Sequence, residues 1–179
     1  LDELKVGQCN TKVLAANVIP GSKSPIRSGY IQPYMTKKVG GERIGIIGLD
    51  IAQKTKESSR PNANTNFLDE TETAQKYIDI LRGKGINKIV LVTHYQYAND
   101  IALAQALDGV DVIVGGDSHS LLGGSNLEDL GFNPVGDSTT IRTTADGKIV
   151  CIVQAWEYAH VLGKLNVTFD RNGDVKSCG

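Results

Sequence analysis

The sequence lacks the features that would place it in several large functional classes. Its 179 residues contain three cysteines, Cys9, Cys151 and Cys178, widely spaced and without a CxxC pair. That excludes a zinc ribbon and a thioredoxin-like motif. An odd count leaves two expectations open, reduced and largely buried thiols or a disulfide partner outside these residues. No apolar run approaches the roughly 20 residues that span a bilayer. No basic-then-apolar leader is present, since the chain opens Leu1-Asp2-Glu3-Leu4 and without Met. The chain is therefore expected to be a segment of a longer polypeptide. A formal net charge of −1 gives no global electrostatic case for a nucleic-acid polymer or an anionic membrane surface. Internal repeats and low-complexity segments are absent too.

What is there suits one α/β domain with a sizeable core: 40% hydrophobic and 22% charged residues in a chain of this length. Residues 12–19 read as a strand ended by Pro20-Gly21, and 30–39 as a second extended stretch. Gly40-Gly41 suits a tight hairpin turn into the apolar run 43–49. Residues 51–67 are polar and irregular and are expected to form a surface loop. A helix capped near Asp69 or Thr71 follows, with Ala74, Tyr77, Ile78 and Leu81 as its apolar stripe and Gly83 to Gly85 as its stop. Residues 88–93 form a β-branched strand, 98–107 a helix and 110–114 a second buried strand. Strand, helix and strand in this span predict parallel pairing with a right-handed crossover. Residues 149–155 and 161–169 are expected to be strands, the second turning at Asn172-Gly173 into a third from Val175.

Polar groups just beyond the carboxyl ends of parallel strands converge on one rim of an open α/β sheet. Two such ends carry candidate metal ligands here. His94 follows Val90-Leu91-Val92-Thr93, and Asp117 and His119 follow Val112-Ile113-Val114-Gly115-Gly116. The glycines let the backbone turn sharply and approach a ligand. In an extended turn Asp117 and His119 would face one side. Imidazole with carboxylate suits zinc, manganese or iron better than calcium or magnesium. A lone histidine after a strand is more often simply hydrogen-bonded than metal-bound, and that plain reading is preferred for His160, which has no partner in sequence.

Three segments add a family resemblance. Residues 90–95 with 99–104 (VLVTHY, NDIALA) resemble the "SHxGxxxDxxLA" segment of the 5′-nucleotidase branch of the calcineurin-like metallophosphoesterases. Residues 109–120 (GVDVIVGGDSHS) resemble its "GIDVIVGGHSHT". Residues 153–165 (VQAWEYAHVLGKL) resemble its "VQAGEYGKYLGRL". The start resembles the residues just after the family's "GNHEFD", and 13–18 resemble its "PVLSANV". The similarity runs in order along nearly the whole chain.

The resemblance implies a four-layer α/β/β/α metallophosphoesterase sandwich with mixed sheets, of which residues 1–179 form the later part. The amino-terminal metal motifs and the carboxy-terminal nucleotide-binding domain are absent from these residues. It implies a metal-dependent phosphomonoester hydrolase acting on nucleotides, using two divalent ions such as zinc or manganese, in a periplasmic, cell-surface or secreted protein. His94 matches a ligand of one ion. Asp117 stands where the pattern has a His ligand of that ion, and His119 matches the ligand that reaches the other. No catalytic acid, base or nucleophile is assigned within the chain, which by itself is expected to be inactive. The partners implied are a small phosphoester substrate and the remainder of the same polypeptide. Two alternatives stand: a catalytically silent α/β binding domain, and a hydrolase of cyclic nucleotides, nucleotide sugars or sulfur esters on the same fold.

Overall fold

A computed structural model describes residues 11–24, 26 and 29–179. Cys9 and the motif at residues 1–4 lie outside them. The strands are β1 (Val13–Leu14), β2 (Val18–Ile19), β3 (Ile31–Gln32), β4 (Tyr34–Val39), β5 (Glu42–Asp50), β6 (Asn66–Phe67), β7 (Ile89–His94), β8 (Val112–Gly115), β9 (Thr140–Thr143), β10 (Ile149–Gln154), β11 (Val167–Phe169) and β12 (Val175–Cys178). The helices are α1 (Ala52–Ser58), α2 (Glu70–Gly83), α3 (Tyr97–Ala106) and α4 (Ser125–Glu128).

The centre is a six-stranded mixed sheet in the order β4-β5-β7-β8-β10-β9. β5, β7, β8 and β10 run parallel, and the hairpin strands β4 and β9 are antiparallel at the edges. The β4–β5 turn uses Gly40 and Gly41 at φ 58° and 94°, where an L side chain would be strained. Pairing aligns Ile47, Leu91, Ile113 and Ile152 in one row across the four parallel strands. All four are fully buried under α2 and α3, with Ile78, Leu81, Leu103, Ala104 and Leu107 packed into the same core. Period-2 alternation puts Val92 and Val114 on the other face, paired with each other and 45% and 39% exposed. That is an apolar face suited to packing against a second sheet.

α2 begins as expected, with the Asp69 carboxylate accepting from Glu72 N at 2.8 Å and satisfying a first-turn N–H. Four expectations are corrected. Residues 12–19 are two short strands, because the chain bends at Asn17, whose fully buried side chain is bonded to Asp50 N and Asp50 O at 3.0 and 2.7 Å. The expected loop 51–67 contains α1 and the bridging strand β6, since Ile51 is buried and anchors the helix start. Within 161–169 only 167–169 is strand, where antiparallel pairing with β12 supplies the ladder. Cys151 and Cys178, expected to be idle or bonded elsewhere, form a disulfide with each other that ties β12 to β10.

That bond spans 27 residues, so loop-closure entropy gives it about 3.5 kcal/mol of stabilisation. The Cys151→Ala/Cys178→Ala double variant should lose about that amount in a urea melt followed by circular dichroism. An unchanged midpoint would show that the hairpin holds to the sheet without the bond.

Candidate functional site

The parallel register fixes the site. Asp50 at the end of β5 pairs with His94 at the end of β7, and β8 ends beside them at Gly115. Their carboxyl-end polar groups therefore meet on one rim. Asp50 Oδ1 lies 3.6 Å from His94 Nδ1, and His94 Nε2 lies 3.6 Å from Asp117 Oδ1. Lys54, in the first turn of α1, forms an ion pair with Asp117 Oδ1. The result is an alternating line of acid, imidazole, acid and ammonium.

Two loops bring these groups together. Gln96 N donates to Gly116 O at 3.1 Å, and Tyr97 N donates to Ser118 Oγ at 3.0 Å, so the start of α3 is stitched to the loop after β8. Ser118 Oγ and Ser120 N in turn donate to Gln154 Oε1 at 3.1 and 2.6 Å. Within this pair of loops Gln96, Asp117 and His119 all have positive φ, at 77°, 75° and 52°. The turn is thus left-handed instead of extended, which sends Asp117 and His119 different ways. Asp117 faces His94 and Lys54. His119 turns to Glu157, with Nδ1 2.9 Å from Oε2, and makes a T-shaped contact with Tyr158 at 5.1 Å.

Asp117 is the most enclosed of the group, its side chain only 5% exposed. Burial by itself raises its pKa. The Lys54 ammonium, the Gln96 amide and the His94 imidazole outweigh that and hold the carboxyl below the usual carboxylate range. Its Oδ2 is buried with no hydrogen-bond partner among the described residues. Among those residues no three His, Cys, Asp or Glu side chains gather closely enough to enclose an ion. A cleft lined by Val114, Val153, Leu162 and Leu165 lies on the open sheet face and includes none of the three candidates. His160 joins Trp156 and Tyr158 in ring contacts at 5.4 and 6.3 Å.

Sequence reasoning missed three members of this rim. Asp50 carried a usable signal, because it ends a buried strand as His94 does. Lys54 and Glu157 carried none, since both come from segments whose placement depends on tertiary packing.

No family model matches the sequence. A probable 5′-nucleotidase of Treponema pallidum is 42% identical over 165 residues, which are 92% of this chain and 28% of that protein. The solved Haemophilus influenzae NAD nucleotidase has a TM-score of 0.89 and 38% identity, covering 94% of this chain and 33% of that one. A 5′-nucleotidase precursor from Thermus thermophilus has a TM-score of 0.86 and 43% identity, covering 99% of this chain and 34% of that one. A calcineurin-like phosphoesterase of Bacillus subtilis, at 17% identity and a TM-score of 0.62, shares the fold. The chain therefore spans about a third or less of the length of the relatives it matches.

The depressed Asp117 pKa has a direct consequence. A carboxyl whose folded-state pKa lies below its unfolded value contributes stability above the ordinary carboxylate range, and loses it as pH falls through the depressed value. Lys54→Gln should raise the Asp117 pKa toward that range, measured by carboxyl-carbon NMR titration, and should move the acid loss of stability to higher pH. A pKa that stays depressed would show that Lys54 is not what holds it.

Proposed function

We propose that this chain, in sequence and fold a segment of the 5′-nucleotidase branch of the calcineurin-like metallophosphoesterases, supplies one side of a divalent-metal site that hydrolyses nucleotide phosphoesters. The observation that carries the reading is the meeting of His94 and Asp117 at 3.6 Å on the rim where β5, β7 and β8 end. The donor set fits a cation of zinc or manganese type. It combines an exposed imidazole with a carboxylate whose second oxygen is buried and, among the described residues, unpartnered.

In this reading His94 and Asp117 hold one ion. His119 reaches the second after leaving Glu157, and the first-half ligands of the family come from outside these residues. A bound divalent ion would supply Lewis acidity and a metal-activated water. The chain's own residues orient and balance charge. Asp50 stands on the Nδ1 side of His94 and biases its ring toward presenting Nε2. Lys54 offsets the charge of Asp117 until a cation takes its place. Asp117 replaces the imidazole of the family pattern with a charged oxygen, which lowers the Lewis acidity of its metal and favours manganese over zinc. The glycines before it allow the closer backbone approach that its shorter side chain needs. The relatives' names support nucleotides as the substrate class. The Cys151–Cys178 bond supports an oxidising compartment, as in a periplasmic, cell-surface or secreted protein.

In the full-length protein, hydrolysis of adenosine monophosphate should be abolished by a chelator and restored by manganese. Asp117→Ala should cut metal content or turnover at least about tenfold, the lower end of what even supporting residues cost. The 179-residue chain alone should show no turnover. An Asp117→Ala enzyme with wild-type metal content and rate would remove Asp117 from the site.

A further inference from the structure

Asp100 is a buried ionisable group that the scheme above leaves unused. It lies in the first turn of α3, its N–H bonded to Gln96 O at 2.9 Å, and it is fully buried. One carboxyl oxygen accepts from Thr93 Oγ1 at 2.7 Å. The other has no partner among the described residues. That second oxygen sits so close to Gly115 that a Cβ built on the glycine would stand 2.2 Å from it. One carboxyl group thus spans two strand ends. It bonds the residue before His94, and it fills the space that the residue two positions before Asp117 leaves by having no side chain.

We propose that Asp100 is a positioning residue for the rim, setting the separation of the His94 and Asp117 segments through Thr93 and Gly115 without touching metal or substrate. This rests on the reading that His94 and Asp117 hold a cation together. Three features support it. A buried carboxyl with one orphan oxygen is costly, so packing alone would favour an apolar side chain there. The two loops it underlies hold the left-handed residues Gln96, Asp117 and His119, a strained arrangement that persists only where its surroundings over-determine it. The contact with Gly115 is reciprocal, since the carboxyl needs the glycine and blocks any larger residue. Burial lifts the Asp100 pKa to about 7, against the lowering effect of the Thr93 hydrogen bond. The Thr93 hydrogen bond and the fit against Gly115 are what the group contributes to the rim.

The test uses the full-length protein stripped of metal and titrated calorimetrically with manganese alone, with thermal melting recorded for each variant. Asp100→Asn keeps the shape and the acceptor for Thr93 and should bind manganese within about threefold of wild type. Asp100→Ala should bind at least about tenfold more weakly, as loss of residues that orient metal ligands does. Thr93→Val, which replaces the hydroxyl with a methyl group of similar size, should shift affinity in the same direction and keeps the test open if Asp100→Ala does not fold. Gly115→Ala should lower the melting temperature by collision with Asp100, and adding Asp100→Ala should restore the melting temperature but not the affinity. Wild-type affinity in both Asp100→Ala and Thr93→Val, with His94→Ala and Asp117→Ala weakened, would overturn the proposal and leave the metal reading standing. Wild-type affinity in His94→Ala and Asp117→Ala would overturn both.

Discussion

Parallel pairing of β5, β7 and β8 is the constraint from which the rest follows. Hydrogen bonding in register places Asp50 beside His94 and ends β8 next to them, so polar residues far apart in sequence share one rim. The buried row Ile47, Leu91, Ile113 and Ile152 enforces that register. A slip of one residue would turn these side chains out of the core and the exposed Val92 and Val114 in. Truncating any one of the four to alanine would cost about 2–5 kcal/mol, a large share of a domain's stability. α2 and α3 pack over one face of the sheet, and the segments that follow β5, β7 and β8 bring Lys54, Gln96 and Asp117 to the strand ends.

Charge at the rim is balanced, not merely gathered. Asp50, His94, Asp117 and Lys54 alternate in character along a short line. Burial works to raise the pKa of the enclosed Asp117 carboxyl, and Lys54, reaching it from α1, helps Gln96 and His94 to lower it. Imidazole at that position would need no such counter-charge, so the aspartate and the lysine make sense as a pair. The same loops carry left-handed backbone at non-glycine residues, and strain of that kind concentrates where side chains must be aimed.

The segment after β10 shows a related trade. In the family pattern glycine stands at the positions of Trp156 and Ala159, and here both keep positive φ, at 57° and 58°. A tryptophan in that conformation is strained. Its ring contacts with Phe132 at 5.6 Å and His160 at 5.4 Å offset part of the cost. This loop also supplies Glu157 and Tyr158, the groups that draw His119 away from His94 and Asp117.

The sequence by itself determined what local periodicity and chain connectivity encode. The βαβ unit, the cap at Asp69, the glycine hairpin and the placement of His94 and Asp117 at strand ends were all legible, because each depends on residues close in sequence. The strand ends alone were enough to point at the rim. Tertiary structure decided the rest. Whether residues 51–67 coil or form a helix depends on Ile51 finding a buried site. The bend at Asn17 depends on its bonds to Asp50, 33 residues away. The pairing of Cys151 with Cys178 depends on β12 docking against β10. The opposite directions of Asp117 and His119 depend on left-handed torsions that spacing cannot reveal. Long-range contacts select one conformer among several of similar local energy, and that selection is what a reading of neighbouring residues cannot make.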